Sequence, residues 1–223
     1  MARAPRSVLV TACGAVVVAV ACLAYAFSLR PPTVVETTPS APSSDEGLRC
    51  GSTACHSVVK QSVGSDVVEV LVGRDSGRIK VSGASGTTIF ELTIAESGAV
   101  VTDQSLQCES GAVSVCLVRG AQGSDVLGEV LIGRSGSWSR AQVPYLSTGS
   151  NLALHDVDGD SIAEIVAVQR SCGPNDCDSY FTQVFSIVGK ATELGCTAAV
   201  RGVEDVLRTP TLAQLRPCGA DVP

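Results

Sequence analysis

The sequence has 223 residues, of which 17% are charged and only 4% aromatic, and its formal net charge is -6. Because it contains no dense cluster of Lys and Arg, the acidic composition argues against a nucleic-acid partner. The length suffices for one domain with short additional segments, and the abundance of Val, Ser and Gly favours β-strands joined by tight turns.

The amino-terminal segment predicts export and anchoring. Residues 7–29 form an uncharged, mostly apolar run, which as a helix would be about 34 Å long and could span a hydrocarbon core of roughly 30 Å. Arg3 and Arg6 precede this run, so residues 1–6 are predicted to remain in the cytoplasm as a short stub. We therefore expect a single-pass protein of the plasma membrane with its carboxy-terminal domain outside.

Two other modes of export fit the same segment. Ala24-Tyr25-Ala26 has the small-x-small pattern of a signal-peptidase site. Residues 18–22 resemble a loose lipobox, in which Cys22 would be acylated and become the new amino terminus. The apolar residues that follow Cys22 stand where a lipoprotein would carry a polar tether, so an uncleaved signal anchor is the preferred interpretation.

The sequence after the apolar run divides into a linker and one predicted β domain. Residues 30–47 are rich in Pro, Ser and Thr, which predicts an extended tether of at most about 50 Å. Residues 48–223 contain short apolar segments punctuated by Gly, Ser and Asp, as in a sandwich or barrel-like domain. We expect an all-β fold, either a small disulfide-braced sandwich or a partial propeller-like domain. The clearest predicted strands cover residues 78–82, 87–94, 113–119, 138–143 and 180–188.

An internal repeat is visible in this domain. Residues 64–74 and 123–134 each contain a Gly-Ser-Asp turn, then a Glu, an apolar strand and a Gly-Arg pair, at an offset of about 60 residues. A Leu-x-Cys sequence precedes both, at residues 48–50 and 106–108. The pattern predicts a duplicated supersecondary unit whose copies share a core. Residues 160–170 form a looser third version, which composition alone explains equally well.

Eight of the ten cysteines lie in the predicted domain. An even number of cysteines in an exported domain predicts disulfides, although eight allow about a hundred connectivities. Short spacing along the chain favours the pairs Cys50–Cys55, Cys108–Cys116 and Cys172–Cys177, which leaves Cys196 to pair with Cys218. A zinc site that uses Cys172, Cys177 and Cys196 is a weaker alternative, because zinc ligation needs reduced thiols.

An acidic loop is the one motif with a chemical interpretation. Acidic residues alternate at positions 156, 158 and 160, Gly159 permits a tight bend, and an apolar strand follows. Calcium takes six to eight oxygen ligands, and a tight loop supplies them from alternate positions, including a backbone carbonyl at the seventh. The predicted calcium ligands are Asp156, Asp158, Asp160, the carbonyl of Ile162, and Glu164. The alternative is a metal-free acidic turn on the surface.

The same loop resembles the FG-GAP repeat, the calcium-loop repeat of integrin-α-like β-propellers, whose usual form is Asp-x-Asp-Gly-Asp-Gly-x-x-Asp-Leu. The resemblance covers residues 152–189, with weaker echoes near Gly64 and Gly123 that lack the acidic ladder. It implies calcium binding by the loop carboxylates and an extracellular interaction role. Ser161 replaces the Gly of the family pattern and Glu164 replaces the Asp. The domain is too short for a complete seven-bladed propeller at about 60 residues per blade.

The sequence favours a binding or structural module over an enzyme. The domain contains two histidines, His56 and His155, and no nucleophile elbow or zinc-protease motif. The predicted partner is a protein or a cell-envelope component. The alternative is a hydrolase of cell-envelope polymers, whose carboxylate pair would meet in space and not in sequence. The composition and short anchor resemble those of exported actinobacterial proteins.

Overall fold

The structure, a computed structural model, describes residues 48–172, 177–188 and 193–219. The predicted cytoplasmic stub, signal anchor and linker, over residues 1–47, lie outside these ranges. Within the described ranges, no helix has the length and apolar character needed to cross a membrane. The described chain consists mostly of β-strands, which confirms the predicted all-β fold class.

Short antiparallel strands follow one another along the chain, with a hairpin of β1 (Arg49–Cys50) and β2 (Thr53–Ala54) preceding three larger sheets. The first sheet contains β3 (His56–Val63), β4 (Asp66–Val72), β5 (Gly77–Gly83) and β6 (Gly86–Leu92). The second contains β7 (Leu106–Glu109), β8 (Ser114–Gln122), β9 (Asp125–Arg134), β10 (Ser137–Arg140) and β11 (Tyr145–Ser147). The third contains β12 (Leu152–His155), β13 (Glu164–Ser171), β14 (Ser179–Phe185), β15 (Glu193–Cys196) and β16 (Val200–Arg201).

Each sheet is a meander, because its strands pair in the order in which they occur along the chain. In the second sheet β10 and β11 both pair with β9, and in the third sheet β15 and β16 both pair with β14. Two short strands therefore share the fourth position in each of these sheets. A one-turn helix, α1 (Thr93–Glu96), leads from the first sheet to the second, and a 3-10 helix (Leu212–Gln214) lies in the carboxy-terminal segment.

Two apolar cores separate the three sheets. One core joins residues of the first sheet, such as Val70 and Ile79, to Cys116 and Val118 of β8. The other joins Val115 and Leu117 of β8 to residues of the third sheet, including Leu154, Ile165 and Ala167. Strand β8 is thus buried on both faces, which explains its continuous apolar sequence where a half-exposed strand would alternate.

The first strands of the three sheets lie next to one another, since β3 contacts β7 and β7 contacts β12. The side chain of Gln61 in β3 donates to the carbonyl of Cys108 at 3.1 Å and accepts from its N–H at 3.1 Å. Gln107 in β7 makes the same two bonds to Leu154, at 3.0 and 3.1 Å. Each glutamine thus pairs the N–H and the carbonyl of one residue in the edge strand of the next sheet. The three meanders therefore adjoin one another along their first strands.

The repeat in the structure differs from the one predicted from sequence. Gln61 and Gln107 occupy equivalent positions in successive sheets, 46 residues apart. The predicted offset of about 60 residues instead matches β4, the second strand of its sheet, with β9, the third strand of the next. The two segments look alike because each follows a tight Gly-Ser-Asp turn and carries a buried glutamate, Glu69 or Glu129. Such a turn precedes a strand at any position in a meander.

All four predicted disulfide pairs are confirmed: Cys50–Cys55, Cys108–Cys116, Cys172–Cys177 and Cys196–Cys218. The last of them ties the carboxy-terminal segment to β15. The alternative zinc site is wrong for this oxidised state, because its three cysteines are all in disulfides and offer no thiolate.

Candidate metal centre

The acidic loop connects the first two strands of the third sheet. His155 of β12 lies opposite Glu164 of β13 in the strand register, so the loop leaves and re-enters the sheet at adjacent positions. Val157 and Ala163 are buried near the two ends of the loop, while Asp156, Asp158 and Asp160 are exposed. Buried residues therefore hold the arms of the loop, and its acidic tip faces solvent.

The aspartates fold the loop by accepting hydrogen bonds from its backbone. The two carboxylate oxygens of Asp156 accept from the N–H groups of Gly159 at 2.8 Å and Ser161 at 3.1 Å. Asp158 accepts from the N–H of Asp160 at 3.1 Å, and Asp160 accepts from the N–H of Ile162 at 2.7 Å. These are turns of the kind that Asp side chains form locally. The alternating acidic residues thus specify the local turns of the loop.

Glu164 is the unusual member of the group, because it is only 1% exposed. Its Oε2 accepts a hydrogen bond from the N–H of Val157 at 2.9 Å, while its Oε1 is buried without a hydrogen-bond partner among the described residues. Burial raises the pKa of Glu164 to about 7, the Val157 N–H opposes this, and the neighbouring Asp carboxylates raise it further. A buried carboxylate oxygen with no partner is energetically expensive, and a bound cation would compensate it.

Three of the five predicted ligands come together. One ligand oxygen each of Asp156, Asp158 and Glu164 lie within 4.8 Å of one another. Two oxygens that share a calcium ion at about 2.4 Å can be up to about 4.8 Å apart, so this group fits the ion. The Asp160 carboxylate is not in the group, and it bonds instead to the N–H of Ile162.

The backbone at Ser161 has the conformation that Gly would adopt most easily. Ser161, which stands at the usual Gly position, has φ 66°, and Gly159 has φ 82°. The left-handed conformation costs a non-Gly residue on the order of 1 kcal/mol. The turn between β7 and β8 approaches the loop closely here, because a Cβ at Gly111 would lie 2.7 Å from the carbonyl oxygen of Ser161. Only glycine permits this close approach.

The carboxy-terminal segment also contacts the loop. The N–H of Leu212 donates to the carbonyl of Val157 at 3.1 Å. Leu215 packs against the cluster that Val157 forms with Val166 and Val184 on the far face of the third sheet. The sequence did not predict this contact or the close approach of Gly111, because each involves residues about 50 positions apart and no local pattern signals them.

The fold and the loop together define a class: a disulfide-braced β domain of three successive meanders with an acidic loop in the last. Comparison of the chain with protein-family models, with curated proteins and with solved structures found no match. The resemblance of the loop to the FG-GAP repeat therefore stays a prediction from its own residues.

Proposed function

We propose that this protein is a membrane-anchored, extracytoplasmic binding or structural module whose β domain is stabilised by calcium in the loop between β12 and β13. The single observation that carries the calcium proposal is the buried Glu164 carboxylate, with one unpaired oxygen, beside Asp156 and Asp158. The apolar run at residues 7–29 supports the anchor. The four disulfides support an oxidising compartment outside the cytoplasm.

The donor set favours calcium over other metals. All three clustered ligands are carboxylates, and hard oxygen donors suit calcium or magnesium better than zinc or copper. Calcium accepts irregular geometry and a high coordination number, whereas magnesium requires a near-ideal octahedron. Two exposed aspartates and one buried glutamate on a short loop offer an irregular set of ligands, which calcium tolerates and magnesium does not.

The proposed role of the ion is structural. Asp156, Asp158 and Glu164 would hold it, and its charge would offset the mutual repulsion of these carboxylates and the burial of Glu164. Because the same loop carries Val157, which bonds to Leu212 of the carboxy-terminal segment, the ion would stabilise both the third sheet and the segment packed on it.

The alternative function, hydrolysis of envelope polymers, is less well supported at this site. A carboxyl group with a pKa near 7 would suit a general acid. However, Glu164 is only 1% exposed, so a polymer substrate would not reach it in this conformation. A binding or structural role needs no such access.

Calorimetric titration of the full-length oxidised protein with calcium chloride at pH 7.5 tests the metal proposal. We expect one ion per chain, with binding abolished in Glu164→Gln and Asp158→Asn and retained in the control Glu96→Gln, whose side chain is exposed on α1. An unchanged titration in Glu164→Gln would refute the site. Alkaline extraction of membranes that contain the protein, compared with a variant lacking residues 7–29, tests the anchor separately.

A further inference from the structure

The carboxy-terminal segment crosses the third sheet as a strap, residues 207–218, that is fixed at both ends. At one end the carbonyl of Leu207 accepts a hydrogen bond from Oγ1 of Thr182 in β14. At the other end Arg216 exchanges two backbone hydrogen bonds with Cys196 of β15, at 2.8 and 2.9 Å, and a disulfide to Cys196 closes this end. Any movement of the strap is therefore limited to the part between these two anchors.

The middle of the strap, residues 211–215, makes few contacts with the rest of the domain. Its first four residues are exposed. Among the described residues, one hydrogen bond joins this part to the body of the domain, from the N–H of Leu212 to the carbonyl of Val157 at 3.1 Å. Leu215 adds apolar packing against the far face of the third sheet. The attachment of the middle of the strap therefore depends on the position of Val157.

Val157 belongs to the acidic loop and connects the strap to the proposed metal ligands. Its N–H donates to Oε2 of Glu164 at 2.9 Å, while its carbonyl accepts the hydrogen bond from Leu212. Its side chain is buried and packs with Val166 in the cluster on the far face of the sheet. A single residue is thus hydrogen-bonded to a proposed calcium ligand through its N–H and to the strap through its carbonyl.

The ion and the strap require the same arrangement of the loop. Calcium needs the carboxylates of Asp156, Asp158 and Glu164 close together, and these groups repel one another when no cation is bound. Repulsion that opens the loop would displace Val157 and remove the acceptor of the Leu212 N–H. Two partners that bind the same conformation of a loop favour each other's binding, and by the same factor in both directions.

We propose that the strap is a calcium-dependent flap. With the ion bound, residues 211–215 lie on the third sheet. Without it they detach between the two anchors and uncover Val166 and Val184, which are both 0% exposed when the strap is closed. In return, the attached strap strengthens calcium binding at the acidic loop. This inference rests on the proposed calcium site and adds that occupancy of the site controls the order of the carboxy-terminal segment.

The test is hydrogen–deuterium exchange of the full-length oxidised protein in EDTA and in saturating calcium chloride, measured by mass spectrometry. Calcium should slow exchange of the amides in residues 211–215 about two- to tenfold, the range that corresponds to one hydrogen bond. Peptides from β6 in the first sheet are the internal control, and their exchange should not change.

Two substitutions at one position test the reverse effect, that of the strap on calcium affinity. Leu212→Pro removes the N–H donor. It fits the local backbone, because Leu212 is the first residue of the 3-10 helix and Thr211 before it is extended, with φ -100° and ψ 160°. Leu212→Ala keeps the N–H and shortens a side chain that is 50% exposed. In calorimetric titration with calcium chloride, Leu212→Pro should weaken binding about two- to tenfold, and Leu212→Ala should leave it unchanged.

The outcomes distinguish the flap from the metal site. If the wild type binds calcium but exchange at residues 211–215 stays the same, the flap is wrong and the metal site stands. Equal calcium affinities of folded Leu212→Pro and the wild type would overturn the coupling. A wild type that binds no calcium would overturn both the site and the flap. The exchange measurement uses the unsubstituted protein, so it decides the proposal even if Leu212→Pro fails to fold.

Discussion

The Glu164→Gln substitution separates two effects of one carboxylate. In the metal-free protein at pH 8 the buried Glu164 is ionised, and one of its oxygens has no partner. Glutamine has nearly the same shape, carries no charge, and can still accept the hydrogen bond that Glu164 receives from Val157. We therefore expect the variant to unfold at a higher temperature than the wild type in EDTA, and to lose the response to calcium.

The magnitude follows from the pKa and from the expected affinity. Burial raises the pKa of Glu164 from 4.5 to about 7, and each pKa unit corresponds to about 1.4 kcal/mol, so ionised Glu164 destabilises the folded state by on the order of 3 kcal/mol at pH 8. A calcium ion bound with a Kd of about 0.1 mM, as in extracellular modules, adds about 1.4 kcal/mol at 1 mM free calcium. For a domain of this size the Tm should rise by roughly 3 to 6 °C.

The assay is thermal unfolding of the full-length oxidised protein at pH 8, followed by circular dichroism in EDTA and then in 1 mM calcium chloride. Glu96→Gln is the matched control for loss of one exposed carboxylate, and magnesium chloride is the control for ionic strength. Two results would refute the reasoning: a wild-type Tm that does not respond to calcium, or a Glu164→Gln variant that melts below the wild type in EDTA.

Three further predictions concern stability. In EDTA the free energy of unfolding should fall as the pH rises from about 4.5 to about 7, because over this range the folded state retains the Glu164 proton that the unfolded state has released. Urea titrations at pH 5 and pH 8 should show a larger loss of stability in the wild type than in Glu164→Gln. Gln107→Leu should cost about 1–3 kcal/mol in urea unfolding, because the N–H and carbonyl of Leu154 lose their partner. Serine at both positions of the Cys196–Cys218 pair should cost about 3 kcal/mol, since this loop spans 22 residues, and more than serine at both positions of Cys172–Cys177, which spans 5.

Each of these has its own contradicting outcome. Parallel pH profiles in wild type and Glu164→Gln would remove Glu164 as the source of the pH dependence. Gln122 lies at the exposed end of β8 and provides the comparison. If Gln107→Leu and Gln122→Leu have the same urea midpoint, the hydrogen bonds between the sheets contribute nothing to stability. Equal losses in the two cysteine pairs would contradict the dependence on loop length.

The strands could be predicted from sequence because their information is local. The segments at residues 78–82 and 113–119 alternate or run apolar, and β5 and β8 lie there. The predicted strand at residues 87–94 ends early in the structure, at Leu92. Its last residues enter α1, where the N–H of Ile94 and the hydroxyl of Thr93 both donate to Glu129 of the second sheet. A contact across 35 residues overrides the local preference there.

The site was predictable only in part, for the same reason. Alternate carboxylates with a glycine specify the local turns, so Asp156 and Asp158 lie where spacing places them. Spacing alone does not show that Glu164 is buried, or that the Asp160 carboxylate accepts a hydrogen bond from the N–H of Ile162. The role of Gln61 and Gln107 in joining the sheets was not predictable either, because a polar residue within a strand normally indicates an exposed position.

The outer face of the first sheet and the outer face of the third sheet are covered in different ways. On the first sheet the buried Glu69 pairs across strands with Lys60 at 2.8 Å and Lys80 at 3.6 Å, so ion pairs lie on that face. The far face of the third sheet is apolar, and Leu215 of the carboxy-terminal segment covers it. β12 carries Ala153 at the position equivalent to Gln107, so no glutamine extends from this strand. The Cys196–Cys218 bond and the hydrogen bond from Leu212 to Val157 hold the carboxy-terminal segment against the third sheet, so an ion bound at the acidic loop would act beside the contact between them.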